Sequence, residues 1–155
     1  MVVSRLPDAL LSPYGDNLVS LVVYGNVARS RATRDSDFNL LVIFENLPRS
    51  IFVRVRLFMR AEDLIQPLLD DLMDSGCAVA LSQVIKTRSE TARLSQICID
   101  MTEDAAIVYD KGGFFEGVLP RLIKRLRELG VWVNDKSWYW VLKGDYKFGV
   151  VIEIE

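Results

Sequence analysis

The residues best suited to chemistry lie in one short stretch. Gly25 and Asn26 end an apolar run, and Asp35-Ser36-Asp37-Phe38-Asn39 opens a second one. A glycine at the end of a strand lets the backbone turn tightly and come close to an anion with no Cβ in the way. A helical turn beginning there offers free N–H groups and a positive dipole end, which favour phosphate. Asp37 and Asn39 stand two residues apart at the head of a strand, so they project from one face. Two carboxylates in that arrangement hold one or two Mg2+ ions against phosphate oxygens and assist an in-line displacement. Here the second position carries a neutral amide, a much weaker ligand for a hard cation. Asp35 is a candidate substitute ligand, although an aspartate in a loop equally serves a plain turn.

The rest of the composition narrows the chemistry. The chain of 155 residues has no histidine, which removes histidine-dependent nucleophilic triads and histidine metal sites. Carboxylates must do whatever acid–base or metal work there is. With 19 Lys and Arg against 21 Asp and Glu, no basic excess points to a nucleic-acid backbone. Cys77 and Cys98 sit in apolar contexts without a CxxC pairing, as reduced core residues do. The start of the chain is broken by Pro7, Asp8, Pro13 and Asp16, unlike the apolar core of a signal peptide. No stretch is long and uncharged enough to span a bilayer, so a cytoplasmic protein is expected.

The elements that must position these residues follow from periodicity. Residues 17–24 (NLVSLVVY) and 38–44 (FNLLVIF) are near-continuous apolar runs, expected as buried strands, with a tight turn and short helix after the first. Between about Ser50 and Ser75, Leu57, Ala61, Leu64, Ile65, Leu68 and Leu72 recur at helical spacing, with Pro67 expected to kink or divide the helix. Residues 77–85 (CAVALSQVI) are expected as a third strand, 89–99 as a helix and 105–109 as a short apolar run. Phe115, Val118, Leu119, Leu122, Ile123, Leu126 and Leu129 form the clearest amphipathic stripe, stopped by Gly130. From Val131 the alternation of Trp132, Trp138, Tyr139, Trp140, Tyr146 and Phe148 with polar residues predicts an aromatic-rich hairpin and end strand. The whole is a single α/β (α+β) domain, with a motif core at 17–86 and a helix-and-hairpin extension at 87–155.

Val22-Val23-Tyr24-Gly25-Asn26-Val27-Ala28-Arg29-Ser30, followed by Asp35-Ser36-Asp37-Phe38-Asn39-Leu40-Leu41-Val42, resembles the signature of the minimal nucleotidyltransferases of the DNA polymerase beta superfamily. That signature is an apolar strand, Gly-Ser, a short helix carrying Ala-Arg, then Ser-Asp-x-Asp opening a second strand. Residues 104–111 and 138–149 look like the C-terminal part of small archaeal proteins of the same group. The resemblance implies a nucleotidyltransferase-like mixed sheet flanked by helices, with the aromatic hairpin as a C-terminal extension.

For the site, the resemblance implies nucleotide binding by Gly25, Asn26, Arg29 and Ser36, catalysis at Asp37 and Asn39, and Mg2+ on Asp37 with Asp35 as the substitute. The chain departs from the pattern at Asn26 for serine and at Asn39 for the second carboxylate. The third carboxylate, normally on a later strand, is absent from residues 77–85, where only Ser82 and Gln83 are polar. Two functions stand side by side. One is Mg2+-dependent transfer of a nucleoside monophosphate from a nucleoside triphosphate to a hydroxyl, impaired by Asn39. The other is a non-catalytic nucleotide- or partner-binding role, such as that of the antitoxin-like partner of a HEPN-type protein. An oligomer is compatible with either.

Overall fold

The computed structural model describes residues 2–29, 37–74, 76, 80–93, 96–134 and 139–142. Asp35, Ser36 and Cys77 lie outside them. The strands β1 (Leu18–Tyr24), β2 (Phe38–Phe44), β3 (Leu81–Thr87) and β4 (Ala105–Asp110) form one sheet in the order β3-β2-β1-β4. β1 is antiparallel to both β2 and β4, whereas β2 and β3 run parallel. The parallel pair needs a long crossover, which α2 (Ile51–Asp74) supplies. α1 (Val2–Tyr14) precedes the sheet, and α3 (Arg88–Ala92), α4 (Gln96–Asp104) and α5 (Phe114–Glu128) complete the helices. This is the mixed sheet flanked by helices that the sequence resemblance implies.

Both faces of the sheet are covered, which is why β1 and β2 read as continuous apolar runs. On one face Leu18, Leu21, Val23, Phe38, Leu40, Val42 and Phe44 pack with Leu6 and Leu10 of α1 and with Phe58, Ala61, Ile65 and Leu69 of α2. On the other, Val19, Val22, Leu41 and Ile43 pack with Cys98 and Met101 of α4 and with Phe115, Val118 and Leu122 of α5. Leu18 and Leu21 share a face although three residues apart. An irregularity in the β1–β2 register between Leu18 and Ser20 resets the alternation.

Ser20 is the one polar side chain buried in β1. Its hydroxyl donates to Asp110 over 2.6 Å, and the same carboxylate accepts from the Phe115 and Glu116 N–H groups at 3.0 Å each. Asp110 therefore caps α5 from outside the helix, where the N-cap position is a glycine with no side chain to offer.

Several helices differ from their sequence expectation. Residues 2–14 form a helix despite Pro7 and Pro13, because Leu6 and Leu10, four apart, are both buried and Tyr14 is anchored. The Tyr14 ring meets Phe44 edge-on at 5.0 Å, and its hydroxyl donates to the Leu57 carbonyl. Burial raises the Tyr14 phenol above its ordinary value, with Arg60 opposing. α2 continues through Pro67 as one helix, and its buried stripe is Phe58, Ala61, Ile65 and Leu69, which leaves Leu64 exposed. The expected helix at 89–99 is replaced by α3 and α4. β3 begins at Leu81 and extends to Thr87, beyond the expected end at Ile85. α5 and its stop are as expected, with Gly130 at φ 66° and its N–H donating to Arg127. β5 (Val131–Asn134) and β6 (Tyr139–Leu142) pair antiparallel as the hairpin; residues 143–155 lie outside the described residues.

Thr87 and Glu90 form a reciprocal capping box at the start of α3, and Arg54 of α2 grips the Glu90 carboxylate with two bonds of 2.8 Å. The Arg54 bonds are the main reason the Glu90 carboxyl falls from its ordinary 4.5 to about 2, and the Thr87 N–H adds to the effect. A group whose folded value is depressed stabilises fully above its unfolded value and loses that contribution as pH falls through the folded one. Glu90 is 41% exposed, which limits the contribution to about 1 kcal/mol or less. Glu90→Gln keeps the capping geometry and removes the charge. It is expected to lower Tm near neutral pH by an amount that shrinks as pH falls from 4.5 towards 2; a Tm difference constant with pH would contradict the assignment.

Candidate functional site

At one end of the sheet a row of residues crosses three strand pairings. Ser82 of β3 is level with Asn39 of β2, Asn39 with Tyr24 of β1, and Tyr24 with Ala105 of β4. Tyr24 and Ala105 pack against the cluster formed with α4 and α5, and Asn39 follows Leu41 and Ile43 on that same face. The apolar cover ends here: Asn39 is half-buried, while Ser82 and Asp37 are exposed. Asp37 lies immediately before β2, where Phe38 donates its N–H to the Ala80 carbonyl over 2.8 Å.

Gly25 leaves β1 with φ 78°. A Cβ built on it would lie 3.0 Å from the Asn39 side-chain nitrogen. Two constraints therefore demand glycine: the left-handed backbone, and the Asn39 amide that fills the space a side chain would need. The turn closes with the Arg29 N–H donating to the Gly25 carbonyl over 3.1 Å, which is one turn of helical spacing. Asn26 is exposed at its start. The expected strand and tight turn are present, whereas residues 25–29 form a turn and not the expected short helix; residues 30–36 lie outside the described residues.

Arg29 is held in an ion pair with Asp104, the last residue of α4, and both side chains are largely buried at 19% and 17% exposure. Asp104 precedes Ala105, the partner of Tyr24, so the pair bridges the turn after β1 to the start of β4. Nothing in the motif marks Asp104 as the partner of Arg29, because the sheet pairing that joins them is distant in sequence.

The structure thus brings Gly25, Asn39 and Asp37 to one place, with Asn26 and Arg29 on the adjoining turn. β3 places Ser82 beside Asn39, so no carboxylate stands there. Among the described residues no three acidic or cysteine side chains come together as a metal cage. The donor set is one carboxylate, one amide and whatever a bound phosphate and water would add. A magnesium ion, which keeps several waters and takes few protein carboxylates, accepts such a set.

No protein-family model matches the chain. It is 27% identical over 128 residues to a Methanocaldococcus jannaschii protein named, by inference, a protein adenylyltransferase, spanning 81% of this chain and 82% of that one. A chain from a toxin–antitoxin structure with AMP-PNP shares the fold at a TM-score of 0.52 and 16% identity, over 81% of this chain and 88% of that chain. A mutant MntA–HpeT toxin–antitoxin structure gives 0.50 and 14%, with the same coverage. The chain thus shares the fold of these toxin–antitoxin chains, as its resemblance to the minimal nucleotidyltransferases implies. In this chain the glycine of the resembling signature is a left-handed residue packed on the strand head, and the signature's second carboxylate position is a half-buried amide. Among the described residues no helix is long and apolar enough to cross a membrane.

The Gly25 contact yields a direct test. Gly25→Ala adds left-handed strain to a 3.0 Å encounter with Asn39, and is expected to destabilise the fold by about 1–3 kcal/mol in urea denaturation. The double change Gly25→Ala with Asn39→Gly, which clears the encounter, is expected to show a favourable coupling relative to the sum of the single changes. Strict additivity would place the cost in the backbone alone.

Proposed function

We propose that this chain binds a nucleoside triphosphate at the Gly25 turn, with a divalent cation on Asp37, and transfers a nucleoside monophosphate to a hydroxyl with impaired efficiency. The observation that carries the reading is the packing of the Gly25 turn on Asn39, two residues beyond Asp37, which sets an anion-approachable backbone beside a carboxylate. In this reading Gly25 and Asn26 meet the phosphates, and Ser36 adds a hydroxyl. Arg29 reaches an anion only by exchanging the Asp104 carboxylate for phosphate oxygens. Asp37 is the principal cation ligand, with Asn39 or Asp35 assisting weakly. Mg2+, when bound, neutralises phosphate charge and polarises the transferred phosphoryl group. Asn39 can orient such a group by hydrogen bonding but adds no negative charge to hold the ion, and Ser82 cannot take a proton from an acceptor hydroxyl as a carboxylate would. A cytoplasmic location belongs to the same reading.

The register of Ser82 beside Asn39 also favours a second function, in which the fold is kept and the chemistry lost. Here the chain binds a HEPN-type protein as an antitoxin-like partner. The toxin–antitoxin assemblies among the fold's neighbours support it.

Titration calorimetry of ATP, GTP, CTP and UTP with Mg2+ tests the first reading against Asp37→Ala. Metal-dependent heat with the unaltered protein, lost in the variant, is the expected result; no heat with any triphosphate overturns nucleotide binding. Asn39→Asp restores the missing charge in nearly the same shape and is expected to raise transfer of radiolabel from the triphosphate by about tenfold to a hundredfold. No transfer by either protein, together with a stoichiometric HEPN complex that survives Asp37→Ala, selects the second function.

A further inference from the structure

α2 turns Phe58, Ala61, Ile65 and Leu69 to the sheet, and residues offset from that stripe by half a turn carry the outer face. Those outer residues do not read as a solvated face. Phe52 is 80% exposed and Met59 53%, with Ile51, Val55 and Leu64 also exposed beside them. Spacings of three and four residues align Phe52, Arg56, Met59 and Asp63 along one line opposite the core. Arg56 and Asp63, both exposed, take part in no ion pair among the described residues, whereas Arg54 and Arg88 nearby are each engaged.

The arrangement of charge names the occupant. Arg56 and Asp63 are equidistant from the midpoint between Met59 and Arg60. A two-fold axis through that midpoint, perpendicular to the helix, sets each about 5 Å along the axis from the centre. Arg56 then meets Asp63 of the second copy, and the same contact forms again by symmetry. Phe52 comes level with Pro67 of the second copy, Val55 with Leu64, and Met59 lies at the centre. A parallel pairing would instead set Arg56 against Arg56 and Asp63 against Asp63. We propose that the outer face of α2 is a homodimer interface, in which two antiparallel α2 helices bury Phe52, Val55 and Met59 between reciprocal Arg56–Asp63 ion pairs. This surface lies across the sheet from the Asn39 face, so the proposal does not depend on nucleotide binding.

The test uses sedimentation equilibrium of the full chain over a wide range of concentration, with circular dichroism to confirm that every variant is folded. The unaltered protein is expected to show a concentration-dependent dimer. Arg56→Asp alone and Asp63→Arg alone each create two like-charge encounters, and each is expected to weaken dimerisation by at least about tenfold. An equimolar mixture of the two variants regains both attractive pairs and is expected to form a heterodimer at least as stable as the original dimer. Sedimentation as a monomer throughout overturns the proposal, including the case in which this face binds a different protein. So does a dimer unaffected by either single change, or a mixture no tighter than its components.

Discussion

Strand β1 pairs on both edges, with β2 and β4, and is buried on both faces, so every group in it must be satisfied from within the protein. Its apolar residues require helices above and below. Its one buried hydroxyl, on Ser20, requires a polar partner where water cannot reach. Asp110 is that partner, and because its carboxylate also takes the first free N–H groups of α5, a single side chain fixes the centre of the sheet, the end of β4 and the origin of the last helix. The register that follows sets Tyr24 against Asn39 and Ala105. The candidate site is the place where this enforced order runs out at the end of the sheet.

At that end the chemistry has been separated from the geometry. The turn at Gly25, the strand head at Asn39 and the brace from Arg29 to Asp104 form a closely fitted surround, yet the formal charge within it is low. An amide and a hydroxyl occupy register positions where two further carboxylates would draw a cation. Such a site is easier to bury, because it carries less electrostatic self-repulsion, and weaker in holding metal, for the same reason.

The parts legible in the sequence were those with local causes. β1 and β2 showed as apolar runs because both faces are covered, and α5 showed because its stripe and its Gly130 stop are local. The residue order around Gly25 and Asp37 marks the turn and strand head, because both depend on local backbone needs. Hidden features depend on distant partners. α1 carries two prolines against its local propensity and exists because Leu6, Leu10 and Tyr14 meet the sheet and α2. The buried face of α2 is not legible because Leu64 and Ile65 are both apolar neighbours, and only the sheet decides which turns inward. Asp104 gave no sign of pairing with Arg29, since a helix and two strand registers bring them together.

The lengths of the crossover elements carry one more consequence. A helix of 24 residues spans about 36 Å, whereas a seven-residue strand spans about 23 Å, so α2 outruns the strands it connects. Among the described residues its fully buried side chains lie between Phe58 and Leu69, with exposed residues in the first and last turns. The first is secured by Arg54, which reaches Glu90 and the Pro48 carbonyl. At the last, Asp70, Asp71 and Asp74 crowd negative charge towards the carbonyl end of the helix dipole, the unfavourable end for it. Amide protons should therefore exchange with solvent along a gradient, slowest near Ile65 and fastest towards Asp74, so that α2 frays from the end that leads back into the sheet beside Ser82.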